Sequence, residues 1–118
     1  MSNIWATVSW EGDSRDVLRT WPKGIREDFG ISLADMQQGF AATLSVRPMP
    51  SIGAGVFELK DQDERHWYRM IYIARVKDTI HVLHCFKKNT RKTGRRDIAT
   101  AERHWKQVQQ RLREEAAR

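Results

Sequence analysis

Along the first half of the chain the apolar positions change their spacing twice, and each change marks an element. Residues 4–10, Ile-Trp-Ala-Thr-Val-Ser-Trp, are rich in β-branched and aromatic side chains and run into the turn pair Glu11-Gly12, which predicts an opening strand. Asp13 or Ser14 then caps a short helix carrying Val17, Leu18 and Trp21. Pro22 suits a first helical position. Ile25, Phe29, Leu33 and Met36 follow at steps of four, four and three, and Gly39 suits the residue just past a helix end. The link between these two helices is too short for anything but an αα-hairpin.

Residues 40–55 hold Pro48, Pro50, Gly53 and Gly55 and read as a loop. Beyond them the period falls to two, predicting strands over 56–60, 67–76 and 80–86, separated by polar turns that make an antiparallel meander. Asp97 is placed to cap a last helix with Ala101, Trp105, Val108 and Leu112 on one side. The order β-α-α-β-β-β-α is an α+β fold, an antiparallel sheet packed with helices. At 118 residues, without repeat or linker, the chain reads as a single domain over 1–118.

Charge changes the picture more than composition does. The net charge is +6, yet residues 1–59 carry seven acids and five bases, while residues 60–96 carry eleven bases and four acids. No acid occurs from Thr79 to Arg96. A one-sign field of that density attracts a polyanion or an acidic protein. No apolar run approaches the ~20 residues of a membrane span and no signal-like start is present, which points to a cytoplasmic protein without a membrane partner. A single cysteine, Cys85, builds neither a disulfide framework nor a thiolate metal site, and is read as core. His81 and His84, three apart on a strand, are expected to face opposite ways, so no metal and no cofactor is assigned.

Period two puts Glu58 and Lys60 on one face of their strand, with Phe57 and Leu59 on the other. Arg69, among Tyr68, Met70 and Tyr72, needs an anion: a cross-strand pair with Glu58 is the structural reading, a phosphate the functional one. The third strand delivers His84, Lys87 and Lys88 into a turn bearing Arg91 and Lys92, followed by Arg95 and Arg96. Cleaving RNA through its own 2′-hydroxyl requires a base for that proton, an acid for the leaving 5′-oxygen, and cations for the phosphate. Glu58 or His84 is a candidate base, Lys87 or Lys88 a candidate acid, and Arg69 with Lys60 a phosphate clamp. Arg91, Lys92, Arg95 and Arg96 are candidate RNA contacts.

Three stretches carry a resemblance: Gly-Ala-Gly-Val-Phe-Glu-Leu-Lys (53–60), Tyr-Arg-Met-Ile-Tyr (68–72) and Val-Leu-His-Cys-Phe-Lys-Lys-Asn-Thr-Arg-Lys-Thr-Gly (82–94). With Trp21-Pro22 and the Met36-Gln37-Gln38-Gly39 helix end, they resemble the phage-derived, HigB-type branch of the RelE/ParE toxin superfamily. The resemblance implies a RelE-like fold, a place in a type II toxin–antitoxin pair, and metal-independent cleavage of mRNA by 2′-hydroxyl attack, often on the ribosome. Its site residues fall on Lys60, Arg69, Lys87 and Lys88. Its partners would be mRNA, the ribosome and a helix-turn-helix antitoxin, and the basic segment calls for an acidic toxin-facing surface on the latter. Two positions depart from the pattern: no tyrosine follows the Lys87-Lys88 pair, and Gly94 stands where a proline is common. Two other functions fit the same sequence, a ParE-like gyrase poison and a nucleic-acid-binding module without chemistry.

Overall fold

The computed structural model describes residues 5–90 and 92–118. Strand β1 (Thr7–Trp10) leads into helix α1 (Ser14–Arg19) and the longer α2 (Lys23–Gln37). Pro22 is the residue before α2 rather than within it. At the other end, Phe40 N–H donates to Asp35 C=O and Gly39 N–H to Met36 C=O, a Schellman closure made possible by the +90° φ of Gly39. The sheet then continues with β2 (Ser45–Pro48), β3 (Val56–Gln62), β4 (Trp67–Val76) and β5 (Thr79–Lys88), and α3 (Arg95–Ala116) ends the chain.

The fold is α+β as expected, with one strand more in its order, β-α-α-β-β-β-β-α. The stretch read as loop contains β2, which pairs antiparallel with β3 from Ser45↔Lys60 to Pro48↔Phe57. A four-residue strand with one apolar side chain and a proline leaves little periodic signal. It is tolerated because β2 is an edge, where a missing N–H costs no ladder bond. The sheet order is β1-β5-β4-β3-β2; β1 runs parallel to β5 and the other pairings are antiparallel.

Each face of the sheet buries its own core. Leu59, Met70, Tyr72, Val82 and Cys85 pack against Trp21, Ile25, Phe29 and Leu33 of the α1–α2 side. Val56, Ile71, Ile73 and Leu83 pack against Ala101 and Val108 of α3. Alternation holds along β3 and β4, but β5 carries a bulge where Ile71 pairs with His84 and Tyr72 with Val82, so that Leu83 is the extra residue. The bulge corrects the parity expected for the histidines: His81 and His84 both face α3. Each has a carboxylate, His81 Nδ1 lying 3.2 Å from Glu11 and His84 Nε2 2.9 Å from Asp97. Cys85 is buried, and burial pushes its thiol pKa far up, as a core residue requires. Among the described residues no helix is long and apolar enough to cross a membrane.

Candidate active site

The α3 face of the sheet extends beyond the helix that covers it, and there the register lays out a grid. Arg47, Glu58, Ile71 and His84 form one row across β2, β3, β4 and β5. Ser45, Lys60, Arg69 and Phe86 form the next, and Gln62, Trp67 and Lys88 the one nearest the strand ends. Because cross-strand partners share a face, Glu58, Lys60, Arg69, His84 and Lys88 are brought together from three strands. Segment 92–94 and the first turn of α3 close over this grid and supply its remaining partners.

Thr93 is the hub of the first network. Its hydroxyl donates to Glu58 Oε2 at 2.7 Å and accepts from Arg69 Nη1 at 3.0 Å. Arg47 Nη2 reaches Glu58 Oε1 at 3.2 Å. Glu58 and Arg69 are both 0% exposed, yet the direct carboxylate pair belongs to Arg47, and Thr93 stands between Glu58 and Arg69. Arg69 also donates to the Thr90 carbonyl at 3.4 Å, while its buried Nε has no partner. Burial draws the Arg69 pKa below the usual guanidinium range, against the pull of the Glu58 charge. A fully buried cation with an unfilled donor is left costly by desolvation, and one further charged hydrogen bond would satisfy it.

The second network is built on Asp97, the third residue of α3. Gly94 occupies the N-cap position, so Asp97 caps nothing and its carboxylate is free for side chains. It holds His84 Nε2 through Oδ1 and Lys88 Nζ, at 3.1 Å, through Oδ2. His84 stacks on Phe86 with ring centroids 5.1 Å apart, and its Nδ1 is buried without a partner. Between the networks, Lys60 Nζ and Arg69 Cζ lie 5.8 and 5.9 Å from the centroid of the Trp67 ring, a contact that holds two cations side by side.

Lys87 is not part of this site. β5 runs two residues further than its apolar pattern, so the lysine pair alternates instead of sharing a turn; Lys87 lies opposite Tyr68 on the α1–α2 face, in a groove with Asp63, Arg65 and His66. Lys92, Arg95 and Arg96 are exposed beside the α3-side site, and Arg91 lies outside the described residues. Sequence reasoning missed Arg47, Thr93 and Asp97 as site residues. Arg47 is the only base between residues 27 and 59, and Asp97 is the first acid after the run that has none, which were the available signals; Thr93 left none. A carboxylate with a lysine and a histidine on its two oxygens, beside a buried arginine, can bind a phosphodiester and move protons at its oxygens.

Residues 16–106 match the family model described as "Phage derived protein Gp49-like (DUF891)". The chain belongs to this Gp49-like family. It is a family of toxins related to the RelE-type toxins. The match runs from α1 into α3 and so contains every residue of the Gp49-like protein's two networks. No curated protein sequence matches the chain.

Proposed function

We propose that this Gp49-like protein is the HigB/RelE-type toxin of a toxin–antitoxin pair and that it cleaves mRNA, on the ribosome, by attack of the ribose 2′-hydroxyl on the adjacent phosphate. The observation that carries the reading is Arg69, a fully buried arginine flanked on the same face by Lys60 and Lys88. Arg69 and Lys60 would neutralise the equatorial phosphate oxygens as charge develops. Of the two candidate bases, both oxygens of Glu58 are engaged by Arg47 and Thr93, whereas His84 keeps one ring nitrogen without a partner while Asp97 orients the other. His84 would then accept the proton of the 2′-hydroxyl once bound RNA exposes its buried Nδ1, while Glu58 anchors Arg47 directly and Arg69 through Thr93. The Lys88 ammonium returns a proton to the leaving 5′-oxygen. The 2′-oxygen bonds to phosphorus, the bond to the 5′-oxygen breaks, and the products are a 2′,3′-cyclic phosphate and a 5′-hydroxyl. The chain's own cations do this work, without a metal or cofactor.

An antitoxin with an acidic face and a helix-turn-helix is the partner that the basic segment and the family together suggest. Purified protein added to a translating extract should cut mRNA and leave 5′-hydroxyl ends, with His84→Ala and Lys88→Ala each slowing cleavage by 100-fold or more and the circular dichroism spectrum unchanged. Intact message at stoichiometric protein refutes the reading, and supercoiling inhibition without RNA cleavage would replace it with a gyrase poison.

A further inference from the structure

Beside the networks lies an open groove of ≈ 570 Å³ between the 48–51 turn and segment 92–95. Among the described residues its charged lining is Arg47, Lys92 and Arg95, with no acid, whereas the groove next to Lys87 has Asp63 in its wall. Lys92 and Arg95 make no hydrogen bond or ion pair among the described residues. The lining also includes the apolar Pro48, Met49 and Ile98, beside Ser51 and Thr93. Cations next to apolar lining match a nucleotide, which presents a charged phosphate on one side and a polarisable base face on the other. An acidic protein segment would satisfy the cations but makes no use of the apolar side chains beside them.

We infer that this groove is a second RNA subsite, which seats the base of a nucleotide flanking the scissile linkage against Pro48, Met49 and Ile98, with its phosphates on Lys92 and Arg95. The inference rests on the nuclease reading for what lies next door, and deepens it. Arg47 joins the two places, because the guanidinium that lines the groove is the one paired with Glu58. RNA in the groove thus lies one side chain away from the anchor of Arg69. Sequence outside the cut site would then contribute to affinity, and a substrate too short to reach the groove would bind poorly.

The test uses a single-stranded 2′-O-methyl RNA decanucleotide, which binds but lacks the attacking hydroxyl, followed by fluorescence anisotropy across a salt series. The double variant Lys92→Glu/Arg95→Glu should bind at least tenfold more weakly, and its slope of log affinity against log salt should shrink by about 1.4, two phosphate contacts at ~0.7 each. Ser51→Glu, at an exposed lining residue that has no hydrogen bond to lose among the described residues, should also weaken binding without changing thermal stability. An oligonucleotide with abasic residues should bind the wild type several-fold less tightly. Variants that keep the wild-type affinity and salt slope overturn the proposal, and so does equal affinity for the abasic strand. Unchanged RNA affinity with lost inhibition by the antitoxin would also overturn it, assigning the groove to a protein. Loss of binding in the variants, with a wild type that cuts no RNA, would leave the subsite standing and remove the nuclease reading.

Discussion

Replacing Thr93 by valine tests whether the site is held by one hydroxyl. Valine matches the shape of threonine but lacks its oxygen, so the substitution removes the 2.7 Å bond to Glu58, the 3.0 Å bond from Arg69 and the 3.3 Å bond from Arg47 while leaving the packing in place. Both partners are fully buried and charged, and neither can turn to water. A hydrogen bond to a charged group contributes about 1.5–3 kcal/mol, so the two shorter ones would sum to roughly 3–6 kcal/mol, the 3.3 Å bond from Arg47 being the weakest of the three. They share one hydroxyl and are not additive, and Glu58 keeps Arg47 while Arg69 keeps the Thr90 carbonyl, which brings the expected loss to about 2–4 kcal/mol. Against the ~5–15 kcal/mol of a typical domain this is a large displacement, readable as a lower urea midpoint at unchanged m. Thr93→Ser retains the oxygen and should stay within about 1 kcal/mol of wild type. Thr100→Val is the control, because that hydroxyl only back-bonds to the Arg96 carbonyl on the exposed side of α3, and should cost under ~0.5 kcal/mol. A Thr93→Val midpoint equal to that of Thr100→Val would refute the reasoning, showing that Glu58 and Arg69 find other partners.

Two further predictions separate function from stability. A Cβ on Gly94 would come within 2.5 Å of Lys88 Nζ, the movable end of a long side chain, so Gly94→Ala should leave the melting temperature within ~2 °C and push Lys88 off Asp97. RNA cleavage should then fall at least tenfold, and an unaffected rate would take Lys88 out of the reaction. Asp61 lies near Asp28 and Asp63, and its pKa is raised from 3.8 to about 6, first by burial and then by Asp28. A folded-state pKa above the unfolded one means that the native state keeps a proton the unfolded chain has released, so stability declines as pH rises from about 4 to about 6. Discounted for the exposure of the site, the decline is roughly 1–2 kcal/mol. Asp61→Asn should remove that slope and raise the urea midpoint at pH 7.5; a variant with the wild-type pH dependence would show that Asp61 titrates normally.

Some of the site could be read from the chain because it depends on local periodicity. Glu58 and Lys60 share a face through period two, and Arg69 joins them once β3 and β4 pair, an arrangement that a meander makes almost unavoidable. Lys87 and Lys88 were misread as a unit because the apolar pattern stops at Phe86, whereas pairing continues to Trp67↔Lys88. A strand that outlasts its apolar residues still alternates, and it sends the two lysines to opposite faces. The bulge at Leu83 had the reverse effect on His81 and His84, turning an expected opposition into a shared face. Thr93 was illegible for another reason, and Arg47 and Asp97 showed only as an isolated base and as the first acid after the run that has none. Thr93 meets Arg69, Glu58 and Arg47 across 24, 35 and 46 residues, distances at which composition and spacing carry no signal.

The fold also redistributes the charge that first suggested a polyanion. In the sequence the cations of residues 60–96 count alike; in the structure Lys88 is held by Asp97, Arg69 is buried and shares Thr93 with Glu58, and the Lys92 and Arg95 side chains have no partner among the described residues. The unpaired ones set the long-range attraction, which salt screens within about 10 Å at 0.1 M. The held ones fix geometry: burial shields Arg69 from that screening, and the part-exposed Lys88 is held at 3.1 Å by Asp97. Salt should therefore act on the two sets differently: raising it weakens RNA capture through Lys92 and Arg95 and leaves the turnover of bound RNA at Arg69 and Lys88 little changed. Single-turnover cleavage at saturating protein, measured at 50 and 300 mM salt, decides the matter. A bound-state rate that falls in step with affinity would mean that the buried network is solvated in the complex, contrary to the roles assigned to Arg69 and Asp97.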